Sequence, residues 1–216
     1  MKYGIVGCSG RMGQEIAKLF GGSGHELVLT SDLSKTECKA KPEVLVDFSS
    51  HAALAKTVEL CEAHAAALVV GTTALGEEHF ALLRELGKKT AVVQSFNFAT
   101  GVNVLKMILQ DYAPLLSDWD LEIEEVHHNK KKDAPSGTAI LLREATGRPC
   151  PTHSLRLGGV PGDHSVHFAN DGEVLSLTHR ALSRGVFALG ALRAALFAAD
   201  AEKGLYTFED VLKHIS

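Results

Sequence analysis

The residues with the clearest chemical potential lie in one short segment that ends at Ala139. Two histidines and three lysines fall within the six positions 127–132, and a Pro-Ser-Gly-Thr turn follows them. The first turn of a helix leaves backbone N–H groups unbonded, and together with the positive end of the helix dipole they attract carboxylates and phosphates. The segment therefore predicts an anion-binding turn beside a lysine or histidine that can donate a proton. The alternative is a solvated basic loop that precedes an ordinary helix.

A glycine-rich turn near the amino terminus predicts a second binding site. Gly7, Gly10 and Gly13 follow a strand-like run and precede a run with helical spacing. In dinucleotide-binding folds such glycines allow a tight turn, the close approach of a pyrophosphate, and close packing of helix on strand. A second predicted strand ends near Asp32, whose carboxylate can accept hydrogen bonds from an adenosine ribose. A strand-to-helix turn that binds no ligand is the alternative.

The composition suits a chain with a real apolar core and a small acidic ligand. Of the 216 residues 45% are hydrophobic, and the net charge of −4 argues against a general nucleic-acid binder. The four cysteines have no metal-ligand spacing, so we expect reduced thiols in a cytosolic chain. We also expect no signal peptide, because a charged residue and a glycine-rich turn stand where its apolar segment would be, and no membrane span, because no run of about 18 uncharged apolar residues is present.

Two patterns of predicted elements divide the chain. Up to about residue 98, short apolar strands alternate with helices, and the strands end in polar residues at the edge where ligands bind in open parallel sheets. A mixed α+β pattern follows, which begins with a predicted helix over residues 102–116, and an Ala-rich helix then returns to the first sheet. The prediction is an α/β protein with a Rossmann-type parallel-sheet domain, residues 1–99 and 185–216, and an inserted α+β domain with a mixed or antiparallel sheet, residues 100–184.

With these residues in view, the chain resembles the 4-hydroxy-tetrahydrodipicolinate reductase (dihydrodipicolinate reductase) family over nearly its whole length. The most specific match is the run from Glu125 to Ala139, which fits E-x-H-H-x-x-K-x-D-A-P-S-G-T-A. The chain is shorter than many members between Ala145 and Ser154. The supporting matches are Gly7–Gly13, Asp47–Ser49, Gly71–Thr73, Asn97–Phe98 with Gly101–Asn103, and the distal His179 and Arg184.

The resemblance implies reduction of a cyclic dicarboxylate, 4-hydroxy-tetrahydrodipicolinate, by NADH or NADPH in diaminopimelate and lysine biosynthesis. It gives His127 and Lys131 catalytic roles as proton donors, and it gives His128, Gly137 and Thr138 contacts with the substrate. The implied cofactor-binding residues are Gly7, Cys8, Ser9, Gly10, Arg11, Met12, Asp32, Gly71, Thr72, Thr73, Ser95, Phe96, Asn97 and Phe98.

The choice of cofactor stays open at this point. The carboxylate of Asp32 favours NADH because it repels a 2′-phosphate, whereas Lys35 and Arg11 could offset that repulsion and admit NADPH. The resemblance further implies a cytoplasmic homotetramer that assembles through the sheet of the inserted domain. No nucleic-acid or membrane partner is expected.

Three other interpretations compete with this one. A zinc site at His127 and His128 is disfavoured, because adjacent residues of a strand point to opposite faces. Another two-domain NAD(P)-dependent enzyme, such as an amino-acid dehydrogenase, gives no reason for the histidines, the lysine and the Ser-Gly-Thr turn together. A dinucleotide sensor without catalysis needs the glycine-rich turn but not Lys131.

Overall fold

The computed structural model describes residues 1–32 and 35–215, which form two compact units. The first unit comprises Met1–Phe98 together with the segment that begins at Phe187. The second comprises Ala99–Val186, and we call it the inserted unit because the chain leaves the first unit to form it and then returns.

The first unit contains a seven-stranded sheet that is parallel except for one short edge strand. Its strand order is β11-β6-β5-β4-β1-β2-β3, and only the pairing of β3 with β2 is antiparallel. Short apolar runs form these strands because residues buried on both faces of a parallel sheet need no polar alternation. The strands are β1 (Lys2–Val6), β2 (Glu26–Ser31), β3 (Thr36–Cys38), β4 (Val44–Asp47), β5 (Ala67–Val70), β6 (Ala91–Gln94) and β11 (Gly204–Thr207).

Helices with one apolar face pack against this sheet. In the first helix Gly13, Ile16 and Phe20 are buried, at the spacing of one helical face. The Ala-rich helix approaches its neighbours closely, since a Cβ at Gly190 would lie 1.7 Å from the carbonyl oxygen of Phe98. The helices are α1 (Arg11–Gly22), α2 (Leu54–His64), α3 (Glu77–Gly87), α6 (Gly185–Asp200) and α7 (Phe208–Ile215).

The inserted unit contains a four-stranded mixed sheet and two helices. The strand order is β10-β9-β7-β8, with β7 parallel to β8 and antiparallel to β9. Along β7 buried and exposed residues alternate, so that one face of the strand lies in the unit's core. The elements are α4 (Thr100–Tyr112), β7 (Asp120–His127), α5 (Gly137–Ala145), β8 (Thr152–Arg156), β9 (Asp163–Ala169) and β10 (Val174–Arg180).

These observations confirm the predicted fold class, and they correct some elements. The helix predicted over 102–116 ends at Tyr112 and continues as a 3₁₀ helix over Ala113–Leu116, where Pro114 cannot donate the next helical hydrogen bond. Strands β3 and β11 and helix α7 were not predicted from the sequence. Within the described residues, none of the helices is long and apolar enough to cross a membrane.

Candidate active site

The glycine-rich turn of the first unit needs its glycines for steric reasons. Gly7 has φ +84°, and a Cβ there would lie 2.9 Å from the Cα of Ser49. A Cβ at Gly13 would lie 2.2 Å from the carbonyl oxygen of Gly7, which is closer than real Cβ contacts. Gly7 is also anchored by its N–H, which donates to the carbonyl of Ser31 at 2.8 Å. The turn therefore brings helix α1 close to the ends of strands β1 and β4.

The amino terminus of α1 is suited to a pyrophosphate. Gly10 is the residue that precedes the helix, and without a side chain it cannot bond the N–H groups of the first turn. Ser9, Gly10 and Arg11 are exposed, whereas Met12 packs against the core. The exposed N–H groups, the helix dipole and the Arg11 guanidinium together fit a negatively charged group at this position.

Asp32 lies beside this turn, as the sequence predicts for a ribose-binding carboxylate. It accepts hydrogen bonds from the Sγ of Cys8 at 3.1 Å and from the N–H of Ser9 at 3.4 Å. The hydrogen bond from Cys8 lowers the pKa of Asp32, while burial and the same bond raise the pKa of the Cys8 thiol. Asp32 is therefore an ionised acceptor, and Cys8 is a neutral thiol that orients it.

A buried carboxylate organises the ends of the next two strands. Asp47 accepts hydrogen bonds from the hydroxyls of Ser49 at 2.6 Å, Thr57 at 2.6 Å and Thr72 at 3.0 Å. Thr72 is buried, so its hydroxyl serves this network, whereas Thr73 is exposed at the sheet edge. Ser49 is also the residue that packs on Gly7, so the Asp47 network supports the glycine-rich turn.

The predicted residues at the ends of β5 and β6 divide into accessible and buried ones. Ser95 donates to the carbonyl of Asn97 at 2.8 Å, which shapes the loop after β6, and the Phe96 side chain is 43% exposed. Phe98 is 1% exposed, with its ring 5.5 Å from Phe48 and 5.0 Å from Phe208. The Phe48 ring also covers Gly71, where a Cβ would lie 2.2 Å from it. The side chain of Phe98 therefore belongs to the core and does not line the sheet edge.

In the inserted unit, Glu125 and His127 lie on the same face of β7. They are two residues apart on a strand, and both are buried, with Glu125 completely inaccessible. The Nδ1 of His127 forms a short hydrogen bond with the Oε2 of Glu125. Gly162 packs against the other side of the His127 ring, since a Cβ there would lie 3.0 Å from Nε2.

Arg156 of β8 pairs with Glu125 through both guanidinium nitrogens. Nη1 donates to Oε2 at 3.0 Å and Nη2 donates to Oε1 at 2.8 Å. Burial alone raises the pKa of Glu125, but the hydrogen bonds from Arg156, Ser154 and His127 outweigh that effect and hold the pKa at about 2. Glu125 is therefore a carboxylate whose charge is balanced inside the fold.

The electrostatic environment keeps His127 neutral near neutral pH. Burial lowers its pKa, and the attraction of Glu125 offsets this only in part, while the charges of Lys131 and Arg156 lower the pKa further. Neutral His127 then donates its Nδ1 proton to Glu125, which leaves Nε2 as a proton acceptor.

Lys131 lies on the loop after β7, near enough to His127 for its charge to lower the pKa of that histidine. Its Nζ contacts the Oδ2 of Asp133 at 2.8 Å, and its backbone N–H donates to the carbonyl of His128 at 3.0 Å. The Lys131 side chain is 22% exposed and is therefore only partly covered by the fold. His128 follows the strand and is half-buried.

The amino terminus of α5 carries the turn that the sequence predicts to bind an anion. Ser136 directly precedes the helix, and its Oγ accepts from the N–H of Ala139 at 3.1 Å, which caps the first turn. Gly137 is exposed, and a Cβ there would meet nothing within 4 Å, so the space above the first turn is open. Thr138 follows Gly137 in this turn.

Buried His164 supports the same turn from strand β9. Its Nε2 and the Oγ of Ser136 are joined by a hydrogen bond of 3.1 Å, and its ring lies 5.1 Å from that of His127. Burial lowers its pKa to about 3, and repulsion from His127, once that ring is protonated in acid, acts in the same direction. No group of three or more His, Cys, Asp or Glu among the described residues is arranged to hold a metal ion.

Three residues of this cluster had no role in the sequence analysis: Glu125, Arg156 and His164. Glu125 could have been found, because it is two residues before His127 on a predicted strand and shares its face. Arg156 and His164 carry no such signal, since only the pairing of β7 with β8 and β9 places them beside Glu125.

A Rossmann-type sheet with a glycine-rich turn, an acid after the second strand and an inserted α+β unit defines a class, the two-domain pyridine-nucleotide oxidoreductases. Within it, two family models match this chain: "Dihydrodipicolinate reductase, N-terminus" over residues 1–98 and "Dihydrodipicolinate reductase, C-terminus" over residues 101–212. The chain belongs to the dihydrodipicolinate reductase family.

Individual relatives agree with this assignment. The chain is 52% identical over 213 residues to the 4-hydroxy-tetrahydrodipicolinate reductase of Thermosipho africanus (strain TCF52B), covering 99% of this chain and 98% of the relative. It is 40% identical over 246 residues to the reductase of the same name from Zymomonas mobilis subsp. mobilis (strain ATCC 31821 / ZM4 / CP4), covering 98% and 97%.

Solved structures share the fold. A dipicolinate-bound dihydrodipicolinate reductase from Paenisporosarcina sp. TG-14 has a TM-score of 0.78 at 23% identity, covering 96% of this chain and 97% of that one. An aspartate dehydrogenase from Thermotoga maritima has a TM-score of 0.56 at 13% identity, covering 93% and 97%. The fold alone therefore includes amino-acid dehydrogenases, and the family match is what separates this chain from them.

Proposed function

We propose that the chain reduces 4-hydroxy-tetrahydrodipicolinate to tetrahydrodipicolinate with NADH or NADPH, as a step of diaminopimelate and lysine biosynthesis. The product lacks the hydroxyl of the substrate. The hydroxyl and a proton of the adjacent ring carbon leave as water to give dihydrodipicolinate, and one hydride and one proton then add to that compound. The observation that carries the proposal is that Glu125 accepts hydrogen bonds from both His127 and the N–H of Ser136, the latter at 3.3 Å. One buried carboxylate thus links the candidate proton-transfer residue to the anion-binding turn.

One carboxylate of the substrate binds at the amino terminus of α5. The backbone N–H groups of Gly137 and Thr138 and the hydroxyl of Thr138 supply donors there, and the helix dipole favours a negative charge. The open space above Gly137 supports this placement, because a side chain at that position would occupy the ligand's volume. His128, at the start of the following loop, contacts the same carboxylate.

Lys131 and His127 transfer the proton that the reaction requires. The side chain of Lys131 is partly exposed and its ammonium group is held by Asp133, so it can donate to the substrate's ring nitrogen or adjacent carbon as negative charge develops there. His127 presents Nε2 while Glu125 holds Nδ1, so a second proton taken up at Nε2 gives an imidazolium that Glu125 stabilises.

The first unit holds the nicotinamide cofactor, which supplies the hydride when it is bound. The turn from Gly7 to Met12 cradles the pyrophosphate, Asp32 accepts hydrogen bonds from the adenosine ribose, and the polar ends of the strands lie at the nicotinamide end. That last group comprises Gly71, Thr72, Thr73, Ser95, Phe96, Asn97 and Phe98, of which Phe98 contributes through its backbone. Ionised Asp32 favours NADH over NADPH, since it repels a 2′-phosphate.

The working form is a cytoplasmic homotetramer assembled through the sheet of the inserted unit. The support for self-association is an apolar groove on this sheet and its neighbouring helices, lined among others by Tyr112, Leu115 and Leu175, which are 60%, 74% and 41% exposed. Side chains of this size on one surface are typical of an interface between protein chains.

The assay that tests the proposal follows oxidation of the reduced nicotinamide with substrate made in situ from pyruvate and aspartate semialdehyde. We expect oxidation that requires both the condensing enzyme and this chain, with accumulation of tetrahydrodipicolinate. Binding of NADH without any oxidation would instead support a dinucleotide sensor. Oxidation with an amino acid or its keto acid, and none with this substrate, would support an amino-acid dehydrogenase.

A further inference from the structure

The centre of the candidate site is an ion pair for which the proposed reaction has no direct use. Glu125 is completely inaccessible, and the Arg156 side chain is 19% exposed. Neither group is placed to donate a proton to a ligand, because Arg156 stays charged and the carboxylate of Glu125 has a pKa of about 2. The pair must therefore act indirectly, through the neighbouring groups that it holds in place.

Glu125 and Arg156 together contact the three segments that carry the proposed chemistry. Glu125 accepts from the Nδ1 of His127 and from the backbone N–H of Ser136, the residue that caps α5. The Nη2 of Arg156 donates to the backbone carbonyl of Asp133 at 2.6 Å, and Asp133 in turn holds Lys131 at 2.8 Å.

We infer that Glu125 and Arg156 are positioning residues, which fix His127, the Lys131 loop and the Ser136 turn relative to one another. The inference deepens the proposed function and rests on it. The pair acts through geometry. The planar guanidinium of Arg156 donates to both oxygens of Glu125 and also to the backbone carbonyl of Asp133, so one rigid group fixes the orientation of the carboxylate and the position of the loop.

Conservative substitutions remove this function while they preserve the volume of the side chain. Glutamine at position 125 has nearly the shape of glutamate, but it has a single acceptor oxygen and no charge, so it cannot bind His127, Ser136 and both nitrogens of Arg156. Lysine at position 156 keeps the cation opposite Glu125, but its single ammonium cannot form the two-pronged contact and also reach Asp133.

The experiment compares Glu125→Gln and Arg156→Lys with wild type and with Glu122→Gln. Glu122 is the matched control, because it lies on the same strand and pairs with His153 on the exposed side, where the two side chains are 58% and 56% exposed. For each protein kcat, KM, the Kd of NADH and the Kd of pyridine-2,6-dicarboxylate are measured. Circular dichroism establishes that each is folded, and histidine NMR gives the pKa of His127.

We expect both site variants to lose about a hundredfold in kcat, because a displacement near 1 Å of a catalytic group has an effect of that order. The Kd of pyridine-2,6-dicarboxylate should rise, that of NADH should stay within about twofold of wild type, and Glu122→Gln should behave as wild type. The pKa of His127 should fall in Glu125→Gln, because the carboxylate that raises it is gone.

A folded Glu125→Gln with wild-type kcat, and with an unchanged pKa at His127, would overturn the inference and leave Glu125 a packing role. If Glu125→Gln does not fold, Arg156→Lys decides, and wild-type kcat in that variant would overturn the inference equally. Failure of the proposed function would look different. Wild type itself would then show no turnover, while the pKa of His127 and dicarboxylate binding would still report on the pair.

Discussion

Acidification should destabilise the inserted unit through His164 before any carboxylate is protonated. Burial lowers the pKa of His164 from 6.5 to about 3 in the folded protein. A folded pKa below the unfolded one means that the unfolded chain binds the proton first. The stabilising contribution of neutral His164 is therefore complete above pH 6.5 and is lost progressively as the pH falls towards about 3.

The size of this effect follows from the shift. Below the unfolded pKa each pH unit costs about 1.4 kcal/mol per buried histidine, so His164 alone should remove roughly 2 kcal/mol between about pH 7 and pH 5. Burial lowers the pKa values of His127 and His179 as well, so they add to the loss with the same sign. Glu125 contributes only below its unfolded value of 4.5, outside this window.

Urea unfolding at several pH values, followed by tryptophan fluorescence, measures the effect. The chain has one tryptophan, Trp119, and it lies in the inserted unit with His164, so the signal reports on the relevant part of the fold. His164→Gln keeps an amide that can bond Ser136 but does not titrate, and its free energy of unfolding should fall less steeply with acid. A variant whose pH dependence equals that of wild type would refute the reasoning.

Two further predictions test the binding sites separately. Asp32→Ser should raise the Kd of NADH more than that of NADPH, because it removes a hydrogen-bond acceptor for the ribose of the first and a repulsive charge for the second; equal shifts in both titrations would place Asp32 outside the site. Thr138→Val should weaken competitive inhibition by pyridine-2,6-dicarboxylate by about 1.5–3 kcal/mol, the usual value for a hydrogen bond to a charged group, while Ser136 keeps α5 capped; inhibition unchanged in the folded variant would show that the carboxylate binds elsewhere.

Much of the fold could be predicted because local patterns encode it. Buried apolar runs predicted β4, β5 and β6, and the spacing of the glycines predicted the turn before α1. The tail was missed because β11 is a short strand with alternating exposure, and its identity depends on pairing with β6. All three residues of the edge strand β3 are exposed, so no apolar pattern marks it.

The sequence predicts the reactive residues of the candidate site but not the residues that hold them in place. His127, Lys131 and the Ser136 turn lie close together in sequence, and their residue types state what they can do. Arg156 and His164 lie 29 and 37 residues after His127 in the sequence, on strands β8 and β9. Only the register of the sheet brings them close to Glu125. A register is a tertiary property, since a shift of one residue would turn both side chains to the opposite face.

The most direct test of the central claim is the turnover of Lys131→Ala beside that of Lys132→Ala. The two lysines are adjacent and carry the same charge, but only Lys131 is held by Asp133 and proposed as proton donor. We predict that Lys131→Ala lowers kcat by about 10² to 10⁴ with an unchanged Kd for NADH, and that Lys132→Ala retains wild-type kcat. A Lys131→Ala enzyme with kcat within a factor of a few of wild type would contradict the account.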